Sequence, residues 1–152
     1  MKVVKAPNRL KLDPHEVSHT WIFLAGSIEM GAAANWQDEI TEKLKNHPVV
    51  LLNPRRDNWD PTWKQEIGNP QFCEQVEWEL DMLEQSDLIY MYFDPNTKSP
   101  VSLLEFGLFA RTGKLVVNCP DGFWRKGNVD ITCRRYGIRQ VNSIDEFISR
   151  CL

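Results

Sequence analysis

The chain has 152 residues, a net charge of −3, 42% hydrophobic residues and 26% charged residues. A single domain of this length can bury roughly 70% of the surface of its extended chain, so a core forms without disulfide or metal staples, and the composition is too apolar for disorder. No apolar run approaches the roughly 20 residues of a membrane-spanning helix, and the mild acidity argues against a nucleic-acid surface, so neither membrane nor nucleic acid is an expected partner.

Residues 1–14 are polar and basic with no apolar stretch of the kind a secretory signal needs. Cys73, Cys119, Cys133 and Cys151 form no Cys-x-x-Cys pair, and His15, His19 and His47 complete no zinc-ligand spacing. Four reduced thiols, no metal site and a cytoplasmic location are the expectation.

Residues 1–18 lack periodicity and read as an N-terminal arm, leaving 19–152 as one domain. Residues 19–25 form a short apolar strand that stops at Gly26. A helix follows over about 33–46, with Trp36, Ile40 and Leu44 on one face and Pro48 ending it. Residues 49–52 are a second strand, closed by Asn53 and Pro54. The polar stretch 53–69 is a long loop; its Trp59 and Trp63 speak against disorder, and long loops in compact domains tend to carry function. Asn69 and Pro70 open a helix to about Gln85, with Phe72, Val76, Leu80 and Leu83 as its expected buried stripe. Residues 87–93 are the third strand. Ser99, as N-cap, and Pro100 start a helix that Gly113 stops, and 114–118 form the fourth strand. Residues 119–128 read as a loop, 129–133 and 139–141 as weaker strands, and Ser143 with Glu146 as a capping box opening the last helix.

Short apolar strands without alternation, separated by helices, are the pattern of a parallel sheet buried on both faces in a doubly wound, three-layer α/β fold. Ligands of such folds bind beyond the carboxyl ends of the strands, which here points to loops 26–32, 53–69, 94–99 and 119–128. The stretch from Gly26 to Gly31 is no nucleotide fingerprint: Ala32 and Ala33 replace the Lys-Ser/Thr of a phosphate loop, and Ile28 breaks Gly-x-Gly-x-x-Gly. Gly26 and Ser27 are then either a tight turn or a small-residue floor that admits a ligand to the backbone.

The helix after Ser99 places Val101, Leu104 and Leu108 at i, i+3 and i+7, an expected apolar face with Glu105 inside it. An unpaired carboxylate there is costly, so Glu105 either finds an arginine such as Arg111 or has a chemical role. Gly107, costing about 1 kcal/mol within a helix, points to close packing or ligand approach. Glu79 flanks the stripe of the preceding helix, whereas Glu77, Asp81 and Glu84 form a solvated face. Two carboxylates meeting at a crevice, one nucleophilic and one acid/base, is the arrangement used in glycosyl transfer. Arg55, Arg56 and Lys98 lie on crevice loops, where they would hold a phosphate or engage in structural ion pairs. Arg125, Lys126, Arg134 and Arg135 read as an interface, a phosphate patch or a plain solvated face.

These residues carry a family resemblance. Residues 22–26, Asn53-Pro54, the segment from Trp78 to Ser86-Asp87, the Pro100-x-x-Leu-Leu-Glu105 segment and Gly113-Lys114 before an apolar strand resemble, in order and spacing over about 20–141, the nucleoside 2-deoxyribosyltransferases. The resemblance implies a flavodoxin-like (Rossmann-like) doubly wound parallel sheet of five strands in three layers. It implies transfer of 2-deoxyribose between nucleobases through a covalent glycosyl-enzyme, small-molecule substrates, no cofactor or metal, and a homo-oligomer with shared active sites. The family's nucleophile falls on Glu105 and its base-contacting acid on Glu79, one methylene longer than the usual Asp. Asn128, ahead of Asp130, matches an amide supplied by a neighbouring subunit, and Asp57 or Asn58 a contact to the base. Ser99 stands where many members have Asp, and Phe23 where many have Tyr. Phe123 and Trp124, in the loop before Asn128, are costly to leave in water and read either as interface residues or as cover for their own sheet. Two further readings of the crevice are a hydrolase of deoxynucleosides or their 5′-monophosphates and a non-catalytic nucleotide-binding module.

Overall fold

The computed structural model describes residues 1–9, 18–28 and 35–152. The stretch from Glu29 to Gly31, Ala32, and the expected first turn of the first helix at Ala33 lie outside the described residues, as does His15.

The six strands are β1 (Lys2–Lys5), β2 (Thr20–Gly26), β3 (Val49–Asn53), β4 (Leu88–Tyr92), β5 (Leu115–Asn118) and β6 (Arg139–Gln140). They form one sheet in the order β1-β3-β2-β4-β5-β6, and every neighbouring pair is parallel. Without β1, this is the flavodoxin-like order, whose strand sequence reverses direction between β2 and β4.

The sheet therefore has six strands rather than five, and the N-terminal arm supplies the extra one. Lys2–Lys5 lies beside β3, with Lys2 opposite Val50 and Lys5 opposite Asn53. Of its two apolar residues, Val4 is buried. An edge strand flanked by lysines needs little apolar sequence, and charge on an edge discourages further pairing, so its signal in the sequence is weak.

Successive side chains of each central strand point to opposite faces. Phe23, Ala25, Val50, Leu52, Ile89, Met91, Leu115 and Val117 face helices α2 (Pro70–Gln85), α3 (Pro100–Phe109) and α4 (Lys126–Tyr136). Ile22, Leu24, Val49, Leu51, Tyr90 and Val116 face α1 (Trp36–Leu44) and α5 (Ile144–Cys151). Both faces of the sheet are covered, which is why the strands show no polar alternation.

Three expected faces differ from those observed. Helix α2 buries Gln75, Trp78, Met82 and Leu83, while Leu80 is exposed. Its largest side chain sets the rotation: Trp78 packs on Phe23 at 6.2 Å, and its indole N–H donates to the Asn8 carbonyl at 2.8 Å. Residues 129–133, read as a weaker strand, belong to α4. The helix buries Val129 and Cys133 four residues apart and leaves Ile131 outside. Arg134 and Arg135 in its last turn and left-handed Gly137 after it are the helix-stop signal in the sequence. The third case, α3, bears directly on the site.

Candidate active site

At the point where strand order reverses, a cavity of about 560 Å³ opens beyond the end of β2. Ala25 and Gly26 form its floor, Arg55, Asp57 and Trp59 come from the long loop, Gln75 and Glu79 from α2, and Ser99 and Glu105 from α3.

Helix α3 presents the face opposite to the expected one. Val101, Leu104 and Leu108 are 58%, 63% and 56% exposed, whereas Ser102, Glu105, Phe106 and Phe109 are buried. Two phenylalanines outweigh the aliphatic stripe in the core, Phe106 meeting Phe93 edge-on at 6.0 Å. Glu105 is thus buried because it shares a face with Phe106 and Phe109, not because it interrupts the Val101–Leu104–Leu108 stripe. Arg111 stacks over Tyr136 at 5.4 Å and leaves Glu105 alone. Among the described residues no donor or cation pairs with the Glu105 carboxylate. Gly107 faces open space, so neither packing within this chain nor the cavity requires it.

Ser99 begins α3 differently from a side-chain N-cap. Its backbone is left-handed (φ 47°) and its hydroxyl caps no amide of the helix. The hydroxyl joins a buried cluster instead, against Ser27 Oγ and 2.7 Å from Thr97 Oγ1, while the Asp94 amide donates to Ser27 Oγ at 2.9 Å. Ser27 therefore lies beneath the site as a support that ties the end of β2 to the loop entering α3.

Gly26 lines the cavity, yet its glycine identity is demanded by the sheet. Its φ is 133°, and a Cβ would stand 2.1 Å from the Tyr92 carbonyl oxygen. Neither the tight turn nor the ligand floor is what requires glycine here; the close passage of the β4 backbone at Tyr92 does.

The electrostatics centre on the two acids. Burial, followed by the charge of Glu79, pushes the Glu105 carboxyl up to about 8. Burial also pushes Glu79 up to about 7, opposed by a 2.8 Å hydrogen bond from Gln75 Nε2 to Glu79 Oε1. Two carboxyls sharing one desolvated cavity oppose each other's ionisation, so the pair gives up its two protons in separate steps, both above the usual carboxylate range. Shifts of this kind, set in a cleft, make the pair a candidate for acid–base chemistry.

The remaining residues divide. Asp57 is on the wall and pairs with Lys5 at 2.6 Å. Asn58 accepts from Arg56 Nε at 2.9 Å and does not line the cavity. Asn128 and Asp130 sit on α4, away from this chain's cavity. Asn128 is exposed, and Asp130 accepts from Gln140 at 2.7 Å and pairs with Lys126. Arg56 is consumed structurally by Glu74 at 3.0 Å and by Trp63 beneath its guanidinium. Arg55 donates to the amide oxygens of Asn35 and Gln37 at 3.1 and 3.3 Å, and among the described residues no carboxylate balances its charge. Lys98 stands over Trp124. Phe123 turns inward onto Phe93 at 4.8 Å and covers its own core rather than an interface, while Trp124 stays 45% exposed. All four cysteines are free thiols, and among the described residues no cluster of His, Cys, Asp or Glu is arranged to hold a metal. Gln75 is the wall residue the sequence reading missed; its signal is a position one helical turn before Glu79 on the same face.

Fold and cavity define the class: a flavodoxin-like, three-layer α/β protein with a paired-carboxylate crevice at the switch point of its sheet. The chain belongs to the nucleoside 2-deoxyribosyltransferase-like family, whose model matches residues 19–123. Asn128 and Asp130 fall outside that matched stretch. Among solved structures, a conserved protein from Enterococcus faecalis V583 is similar in fold, with a TM-score of 0.60 at 17% identity over 88% of this chain and 99% of that one. No curated protein sequence matches.

Proposed function

We propose that the chain transfers 2-deoxyribose between nucleobases, with Glu105 as nucleophile and Glu79 as the acid/base at the nucleobase. The observation that carries this reading is the buried, unpaired Glu105 carboxyl in the same cavity as Glu79. Of the two singly protonated forms of the pair, the reactive one has Glu105 ionised and the proton on Glu79: Glu105 attacks C1′ on the face opposite the base as the C1′–N bond breaks through an oxocarbenium-like state, and Glu79 supplies its proton to the departing ring nitrogen. A second base then takes the sugar from the Glu105 ester, with Glu79 accepting its proton. None of these steps calls for a metal or cofactor.

The same reading includes a homo-oligomer, with Asn128 reaching a neighbour's cavity. Support comes from α3 itself, whose exposed Val101, Leu104 and Leu108 form an apolar stripe on the helix that carries Glu105, and such surface is enriched at subunit contacts.

The test is intact-protein mass spectrometry after incubation with a 2-fluoro-2-deoxyribosyl nucleoside. Fluorine at C2 destabilises the oxocarbenium-like state, so the adduct should persist and map to the peptide containing Glu105. No adduct, together with no turnover of any deoxynucleoside, would overturn the proposal. The unbalanced charge of Arg55 on the cavity wall favours one second reading, hydrolysis of deoxynucleoside 5′-monophosphates. Chromatography of deoxyadenosine and its 5′-monophosphate, with and without a second base, separates the two. A new nucleoside means transfer, free base alone means hydrolysis, and binding without change means a non-catalytic module.

A further inference from the structure

Two buried polar atoms on the cavity wall have no partner: the amide oxygen of Gln75 and the indole N–H of Trp59. Buried polar groups are almost always satisfied within a folded protein, so two unmet atoms on residues that line one cavity point to a ligand that supplies the partners as it seats there. The two other such atoms among the described residues, on His19 and Gln37, belong to side chains that do not line this cavity.

The Gln75 amide cannot turn over to hide its oxygen. Its Nε2 donates to the Pro54 carbonyl at 2.8 Å and to Glu79 Oε1 at 2.8 Å. A backbone carbonyl only accepts, so the amino group must stay there and Oε1 is the atom left over. Gln75 and Glu79 are one turn apart on α2. Their wall therefore offers a fixed acceptor beside the carboxyl that serves the leaving base.

We propose that Gln75 selects amino over oxo nucleobases, Oε1 accepting a hydrogen bond from an exocyclic amine while Glu79 serves the adjacent ring nitrogen. This rests on the reading of the cavity as a nucleobase site. Adenine presents the required edge, an amine donor beside the N7 acceptor, and cytosine presents its amine beside N3. For adenine, the Glu79 O–H bond breaks as N7–H forms. The C1′–N9 electron pair stays on the imidazole ring, and Glu105 closes its ester on C1′, so charge and protons balance. A 6-oxopurine would place a second acceptor against Gln75 Oε1 in a desolvated wall, an arrangement such sites reject strongly. The Trp59 N–H accommodates an acceptor, which every nucleoside carries, and so does not discriminate.

The experiment uses the full chain and matched pairs: kcat/KM for deoxyadenosine against deoxyinosine and for deoxycytidine against deoxyuridine, with calorimetric binding of free adenine and hypoxanthine. The amino member should lead each pair by at least about tenfold, and adenine should bind tighter than hypoxanthine by a similar factor. Gln75→Leu should bring these ratios towards one; if that variant does not fold, the wild-type pairs decide alone. Equal use of both members, or preference for the oxo member, overturns the proposal and leaves the transferase reading standing. Amino-selective binding without turnover of any nucleoside overturns the transferase reading and leaves the role of Gln75 standing. Failure of both bases to bind at millimolar concentration overturns both.

Discussion

Replacing Glu105 by Gln should make the protein more stable with rising pH while removing its activity. The carboxyl is raised from 4.5 to about 8 in the folded chain, so the folded state holds a proton that the unfolded state releases. Below the unfolded value both states are protonated and the group has no net effect. As pH climbs from about 4.5 to 8, the unfolded state is increasingly favoured, by at most about 5 kcal/mol at the upper end. Part of the shift is the charge of Glu79, and water entering an ionised cavity screens the rest, so about half that value is the working expectation. Gln has the same shape and no charge, and any cost of its unmatched amide is independent of pH. Urea unfolding of wild type and Glu105→Gln at pH 5 and pH 8.5 should therefore show the difference moving in the variant's favour by about 2 kcal/mol, while turnover falls at least about 10³-fold. A stability difference that stays flat, or shifts towards wild type at the higher pH, would refute the burial argument for Glu105.

Glu79→Gln should slow natural nucleosides more than substrates with activated leaving groups, measured as separate kcat/KM ratios, because good leaving groups need less proton assistance. The pH profile of wild-type kcat/KM should be a bell with limbs near 7 and 8, falling on the acid side as both carboxyls protonate and on the alkaline side as both ionise. Leu104→Lys, at a 63% exposed position on α3, should shift sedimentation towards a monomer. If neighbours share sites, it should lower activity in step. Gly26→Ala should cost about 3 kcal/mol or more in urea unfolding, since its Cβ would lie 2.1 Å from a carbonyl oxygen of β4. A variant within about 1 kcal/mol of wild type would show that the two strands can part more easily than the packing indicates.

What the sequence by itself determined were the features that short-range chemistry dictates. Four apolar runs without alternation can only be strands covered on both faces, and Asn69-Pro70, Ser143 with Glu146, and the motif order around Glu105 and Glu79 each carry their meaning within a few residues. Two of those local signals are realised as caps, with Asn69 and Ser143 accepting from the Phe72 and Glu146 amides. Tertiary structure decided which face each helix turns inward, because that choice depends on the bulk available elsewhere. Phe106 and Phe109 outcompete Val101, Leu104 and Leu108 for the core, and Trp78 sets the rotation of α2. It also decided that Lys2–Lys5 joins the sheet, since an edge strand takes its hydrogen bonds from a partner some 48 positions away. The unpaired state of Glu105, the fixed amide of Gln75 and the demand for glycine at 26 arise where β2, β4, α2 and α3 meet. No local window of sequence contains that meeting, because its energetics come from burial and from neighbours distant along the chain.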